Sequence, residues 1–293
     1  MFYHINVNDA KYFNFPFKKV LKEHKYKENK FNPQIVSKSI HGKYSLNFKG
    51  MDGWKFFNKI KTTNYLKKSK FYPKTHIIND AEELKTVKLD KKKFFFVKSK
   101  FGDSSRKVVY IDKERNPLFG DLENMIYPAI VQEEVKSERR DGKKLDYRIF
   151  VLYIRNGNEV KGFFYEDGVV RYTKSMEKIV NNEENQEDLI REIKNFRGDE
   201  NLLECLKDIN ERVVKKLPNE NKTDLEFFLT GFDIVKDKDK KYWVTEINAT
   251  PKLQFSDFFP LARLINNMLE EIHNIITRYE ENEAIFIDKF IEL

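Results

Sequence analysis

The 293-residue chain has one cysteine, Cys205, so no disulfide can close within it and no cysteine-based metal site can be built. Its five histidines show no ligand spacing. No stretch approaches the roughly 18 apolar residues that a membrane span needs. The opening MFYHINVNDAKYF has no apolar run followed by a small-residue cleavage site. These absences lead us to expect a cytoplasmic protein with no membrane partner. No internal repeat is visible.

What is present is a globular composition with a heavily charged surface, 40% hydrophobic and 35% charged. The charge is uneven. Residues 1–110 carry 26 Lys and Arg against 9 Asp and Glu, and the remainder 29 against 38. A basic half suits an acidic partner such as phosphate or an acidic polypeptide, or is simply a solvated lysine-rich face. No nucleic-acid-binding motif accompanies it, which argues against nucleic acid.

Periodicity predicts a helix over GWKFFNKIKTTNYLKKS (53–69) and strands at THII (75–78), KKFFFVKSK (92–100), KVVYI (107–111) and PAIVQEEV (128–135). LDYRIFVLYI (145–154), EVKGFFYE (159–166) and VVRYT (169–173) read as a three-stranded meander, with turns at Asn156-Gly157 and Asp167-Gly168. After the polar loop NNEENQED (181–188), helices are expected at 187–196 and 200–217, then a hairpin of FFLTGFDIV and YWVTEIN. The last long element, LARLINNMLEEIHNIITRY, carries a helical apolar stripe from Leu261 to Tyr279. Cys205 falls on a helix without a His or Asp partner and reads as core.

In WVTEINATPKL (243–253), Glu246 and Asn248 share one strand face. If Lys236 lies opposite Lys241, Asp233 lies opposite Val244, diagonal to Glu246 and on that face. Two carboxylates and a carboxamide are hard oxygen ligands suited to magnesium. The alternative is a solvent-facing polar hairpin. Lys98 ends the apolar strand FFFV and can neutralise phosphates as a point charge, or guard a sheet edge.

LTGFDIVKDKDKKYWVTEINATPKL resembles the end of an ATP-grasp domain of the tubulin tyrosine ligase-like family. IVQEEVKSERRDGKKLDYRIFVLYI, YEDGVVRYT, FFFVKSKFGDSSRKVVYI and YPKTHII are similar to further segments of that family, in its order, over about residues 71–260. The resemblance implies an α+β ATP-grasp fold, two α/β lobes sandwiching ATP behind a small N-terminal domain. The divisions would be 1–70, 71–127 and 128–293.

The resemblance also implies roles. Asp233, Glu246 and Asn248 would hold Mg2+. Lys98, with Lys74 as a second candidate, would meet ATP phosphates. Gln132, Glu133 and Val135 would form the adenine hinge, and Lys144 and Asp146 would contact the nucleotide. Arg148 and Arg171 would sit by the acceptor and the transferring phosphate. The implied activity is ATP-dependent ligation of an amino-acid co-substrate to an acidic protein or peptide acceptor, such as a tubulin tail, through an acyl phosphate. Alternatives are an ATP-grasp phosphotransferase acting on a polyphosphorylated small molecule and a catalytically weak nucleotide-binding relative. Two departures from the family stand out. The loop FGDSSRK has only Gly102, and YTKSMEKIVNNEENQED replaces the family's H-L-T-N segment.

Overall fold

The computed structural model describes residues 53–90, 92–100, 108–173, 189–218, 225–249, 259–280 and 287–293, with residue 23 and the short segments 2–4, 27–28, 35–36 and 44–45. The loop 101–107, the polar loop 181–188 and Pro251 lie outside the described residues. Near the N-terminus, β1 (Phe2–His4), β2 (Lys27–Glu28), β3 (Ile35–Val36) and β4 (Tyr44–Ser45) are parallel neighbours in the order β2-β1-β3-β4. The single helix expected at 53–69 is two, α1 (Gly53–Phe56) and α2 (Lys59–Leu66). Asn58 divides them. Its side chain accepts from the Lys61 N–H as the N-cap of α2, a use of asparagine that competes with continuing the helix.

A five-stranded antiparallel sheet follows. It comprises β5 (Thr75–Ile78), β6 (Phe95–Ser99), β7 (Val108–Ile111), β8 (Pro117–Phe119) and β9 (Ala129–Glu133), in the order β5-β9-β6-β7-β8. Helix α3 (Ala81–Thr86) connects β5 to β6, with Asp80 as its N-cap. Alternation sends Phe95, Val97, Val109, Ile111, Ala129 and Val131 into the core of this sheet. The same alternation turns Phe96, Lys98 and Gln132 to the other face, because Phe96 stands opposite Gln132 and Lys98 opposite Ile130.

The larger sheet is built around β11 (Lys143–Asn156) and β15 (Leu225–Lys236), antiparallel along ten residue pairs. β10 (Arg139–Arg140) folds onto the start of β11. Outward from β11 lie β12 (Glu159–Tyr165) and β13 (Asp167–Thr173), then β14 (Leu189–Asn195). The expected turn at Asp167-Gly168 does not form. β12 and β13 run in one direction along the same edge of β11, and Val151 faces Phe164 while Arg148 faces Val169, so two extra residues are absorbed between them. A Cβ on Gly168 would lie 2.8 Å from the Arg148 carbonyl oxygen, which explains the glycine. At the other end, Asn156 pairs with Glu159, which makes Gly157 and Asn158 the two-residue loop.

The helix expected at 187–196 is a strand. β14 pairs with the whole of β13, and this long-range pairing overrides the local helical pattern. α4 (Glu200–Val214) forms as expected, and Cys205, Leu206 and Ile209 are buried in its core. β16 (Tyr242–Asn248) pairs with β15, and α5 (Phe259–Glu280) and β17 (Phe290–Glu292) complete the chain. Among the described residues, no helix is long and apolar enough to cross a membrane. The class is α+β, with mainly antiparallel sheets and, among the described residues, few helices.

The large sheet buries two apolar layers. Tyr147, Ile149, Val151 and Tyr153 of β11 pack with Leu206, Ile209 and Val213 of α4. Phe150, Leu152 and Ile154 pack with Ile265, Met268, Leu269 and Ile272 of α5. Between β11 and β15, Arg155 and Glu226 form an ion pair at 2.7 Å, both side chains fully buried. Glu226 also stands opposite Ser45, where β4 joins the large sheet.

Candidate functional site

The face of the large sheet that α5 covers turns polar beyond Phe150. Asp146 and Arg148 continue the row of Phe150, Leu152 and Ile154 on β11, so alternation keeps them on that face. Asp233 is paired with Arg148, Arg171 with Asp146, and Asn248 with Gly231.

The register of Asp233 differs from the expected one. Lys236 faces Tyr242, and a bulge between Asp233 and Ile234 makes Asp233 face Glu246 while Ile234 faces Val244. Thr245 is the extra residue. Its hydroxyl donates to the Asp233 carbonyl at 3.1 Å. Without this bulge Val244 and Glu246 would share a face. With it, Val244 enters the α4 core and Glu246 turns to the polar side. The Val244 N–H donates to the Phe71 carbonyl at 2.9 Å, which ties the chain leading into the small sheet to this edge.

Asp233 is the centre of the polar row. Arg148 grips it through Nε at 2.7 Å and Nη2 at 3.1 Å. Arg171 donates to Oδ1 at 2.7 Å, and Asn248 Nδ2 donates to Oδ2 at 2.9 Å. Burial works to raise the Asp233 pKa, but the Arg148 and Arg171 guanidiniums hold it well below the usual carboxylate range. Arg171 also pairs through Nε with Asp146. Burial disfavours its charge, and Asp146 and Asp233 more than restore it.

The small sheet supplies the opposite wall. Lys98 Nζ donates to Gln132 Oε1 at 2.7 Å, and Gln132 is buried. Burial pushes the Lys98 pKa down to about 8, opposed by Glu246 and reinforced by Lys59 and Lys144. Glu246 and Lys144 belong to the large sheet and Lys59 to α2, so Lys98 reaches from the small sheet toward the large one. The Phe96 ring lies under two ammonium groups, Lys144 at 5.0 Å and Lys98 at 5.7 Å. Burial also lowers the Lys144 pKa.

The structure therefore brings together Lys98, Gln132, Lys144, Asp146, Arg148, Arg171, Asp233, Glu246 and Asn248. Lys74 is exposed, one residue before β5, and its carbonyl accepts from the Glu133 N–H at 2.9 Å. The Glu133 side chain pairs with Lys93 on the face away from Gln132. Val135 lies half-buried on the segment that links the two sheets; three residues on, the Glu138 N–H donates to the Lys236 carbonyl at 2.7 Å.

Two residues at the site were not anticipated from the sequence. Lys59 is nearly buried and pairs with Glu246 at 3.1 Å. A sequence signal existed: α2 carries no acid in its first turn and begins on this lysine, against the helix dipole. Arg191, opposite Arg171 on β14, was hidden by the helical reading of 187–196.

No protein-family model and no curated protein matches the chain. Among the described residues, no group of three or more His, Cys, Asp or Glu side chains is gathered for a metal. The facing carboxylates of Asp233 and Glu246, with the Asn248 carboxamide, fit a hard cation in donor type. Arg148, Arg171 and Lys59 supply the compensating positive charge in this conformation.

Proposed function

We propose that the chain is an ATP-grasp enzyme, a Mg2+- and ATP-dependent ligase that joins an amino acid to an acidic protein or peptide through an acyl phosphate. The observation that carries this reading is the charge around the cleft. Lys59, Lys98, Lys144, Arg148 and Arg171 stand against Asp146, Asp233 and Glu246, with cations contributed by both sheets and the Phe96 ring beneath two of them. Half-buried cations in such excess suit a polyphosphate. Transfer from ATP needs positioning and charge neutralisation rather than a Ser, Cys or His nucleophile.

In this reading Lys98 and Lys144 bind the phosphates, and the Phe96 face of the small sheet covers the nucleotide. Asp233, Glu246 and Asn248 would hold a magnesium ion, which would supply neutralisation of phosphate charge. Arg148 and Arg171 orient the substrate carboxylate and stabilise the charge that grows as it is phosphorylated.

One observation favours a second reading, a nucleotide-binding protein that does not turn over. Both oxygens of Asp233 are already held by arginines and Asn248. Intact-mass spectrometry separates the two readings. Acidic peptides and tubulin are incubated with the protein, Mg2+, ATP and mixed amino acids. A gain of one residue mass establishes the ligase. ATP binding without mass gain or ADP release establishes the second reading.

A further inference from the structure

The polar row extends one strand further than the nucleotide and metal roles require. Arg191 stands directly opposite Arg171 on β14. Two residues along, Ile193 packs against the α5 layer, which fixes that side of β14 as the site face. Arg191 is half-buried. Like charges directly opposite each other across a strand pair destabilise a sheet. Burial and the neighbouring Arg171 both press against the Arg191 charge. Arg171 divides its own donors between Asp146 and Asp233. The strand order β16-β15-β11-β13-β14 puts Arg191 about 19 Å from the Glu246 strand, counting four strand spacings. It is thus at the end of the row remote from Glu246.

We propose that Arg191, with Arg171, forms a carboxylate subsite that binds the non-nucleotide substrate and selects acids over amides. The inference rests on the ligase reading and gives its substrate side a location. A guanidinium pair can hold one carboxylate by parallel hydrogen bonds, and the bound anion removes the repulsion between the two arginines. An uncharged amide in the same place offers no charge to offset it.

The test is calorimetric titration of the full chain with free L-glutamate and with C-terminally amidated tetraglutamate and tetraglutamine, each with and without ADP. ADP affinity is measured separately on the same preparations. In the wild type, glutamate or tetraglutamate should bind and tetraglutamine should not. Free glutamate as the ligand identifies the amino-acid substrate as the source of the carboxylate, and tetraglutamate identifies the acceptor chain. Arg191→Gln should weaken that binding roughly 10- to 100-fold, with ADP affinity retained as proof of folding. Arg191→Lys should recover part of it, since the charge returns without the planar fork. Equal carboxylate affinity in wild type and Arg191→Gln overturns the subsite, as does a wild type that binds no carboxylate probe. Loss of ADP binding by the wild type overturns the nucleotide reading instead, and the titrations without ADP still read the subsite.

Discussion

Nucleotide binding should weaken as pH rises through 8, because Lys98 binds phosphate only when charged. Burial sets its pKa at about 8, against an ordinary value of 10.5. About nine-tenths of the molecules then carry the charge at pH 7 and about one-tenth at pH 9. If the bound phosphate holds the lysine protonated, the apparent dissociation constant should rise roughly tenfold between those values. The same shift affects stability. Between pH 8 and 10.5 the unfolded chain binds more protons at this lysine than the folded one, so this group makes stability rise with pH in that window. Below pH 8 its buried charge costs about 3 kcal/mol. Lys98→Met should therefore stabilise the nucleotide-free protein by about 2 kcal/mol, after about 1 kcal/mol is lost because Gln132 loses its partner. Fluorescent-ADP titrations from pH 6.5 to 9 and urea denaturation at pH 7 read the two effects. Lys98→Arg keeps its charge throughout and should flatten the profile. A flat wild-type profile, or a Lys98→Met variant less stable than wild type, would refute the reasoning.

Two predictions concern the frame that holds the site. Glu226→Ala leaves Arg155 charged and buried beside the junction with β4, and should cost about 3–5 kcal/mol in urea denaturation; an unchanged midpoint would show that the pair is not sealed from water. Gly162→Ala would put a Cβ 2.0 Å from Asn210 Oδ1 on α4 and should cost about 1–3 kcal/mol, with part of the loss recovered when Asn210 is also made alanine.

The strands 95–99, 108–111 and 145–154 were legible because each buries an alternating or continuous apolar run whose period is its own signal. β14 was not. Leu189, Ile190 and Ile193 also suit a helix, and only pairing with β13, invisible locally, makes them a strand. Asp167-Gly168 carries a turn signature, yet the glycine serves a close approach to the Arg148 carbonyl. The acid–amide set of Asp233, Glu246 and Asn248 was readable as a set, but not its register, because a bulge at Thr245 leaves no mark in hydrophobic alternation. Lys98 was found through its strand, whereas Gln132 entered only through the family resemblance, and its side chain accepts from Lys98. Lys59 reaches the site from an element distant in sequence, and only its misfit at a helix start signals it.

The most direct test of the central claim is calorimetric titration of ATP into wild type and Glu246→Ala, each with and without Mg2+. The account predicts saturable binding of one ATP per chain, tightened by Mg2+ in the wild type and no longer tightened by Mg2+ in Glu246→Ala. Absence of saturable ATP binding by folded wild-type protein would contradict it.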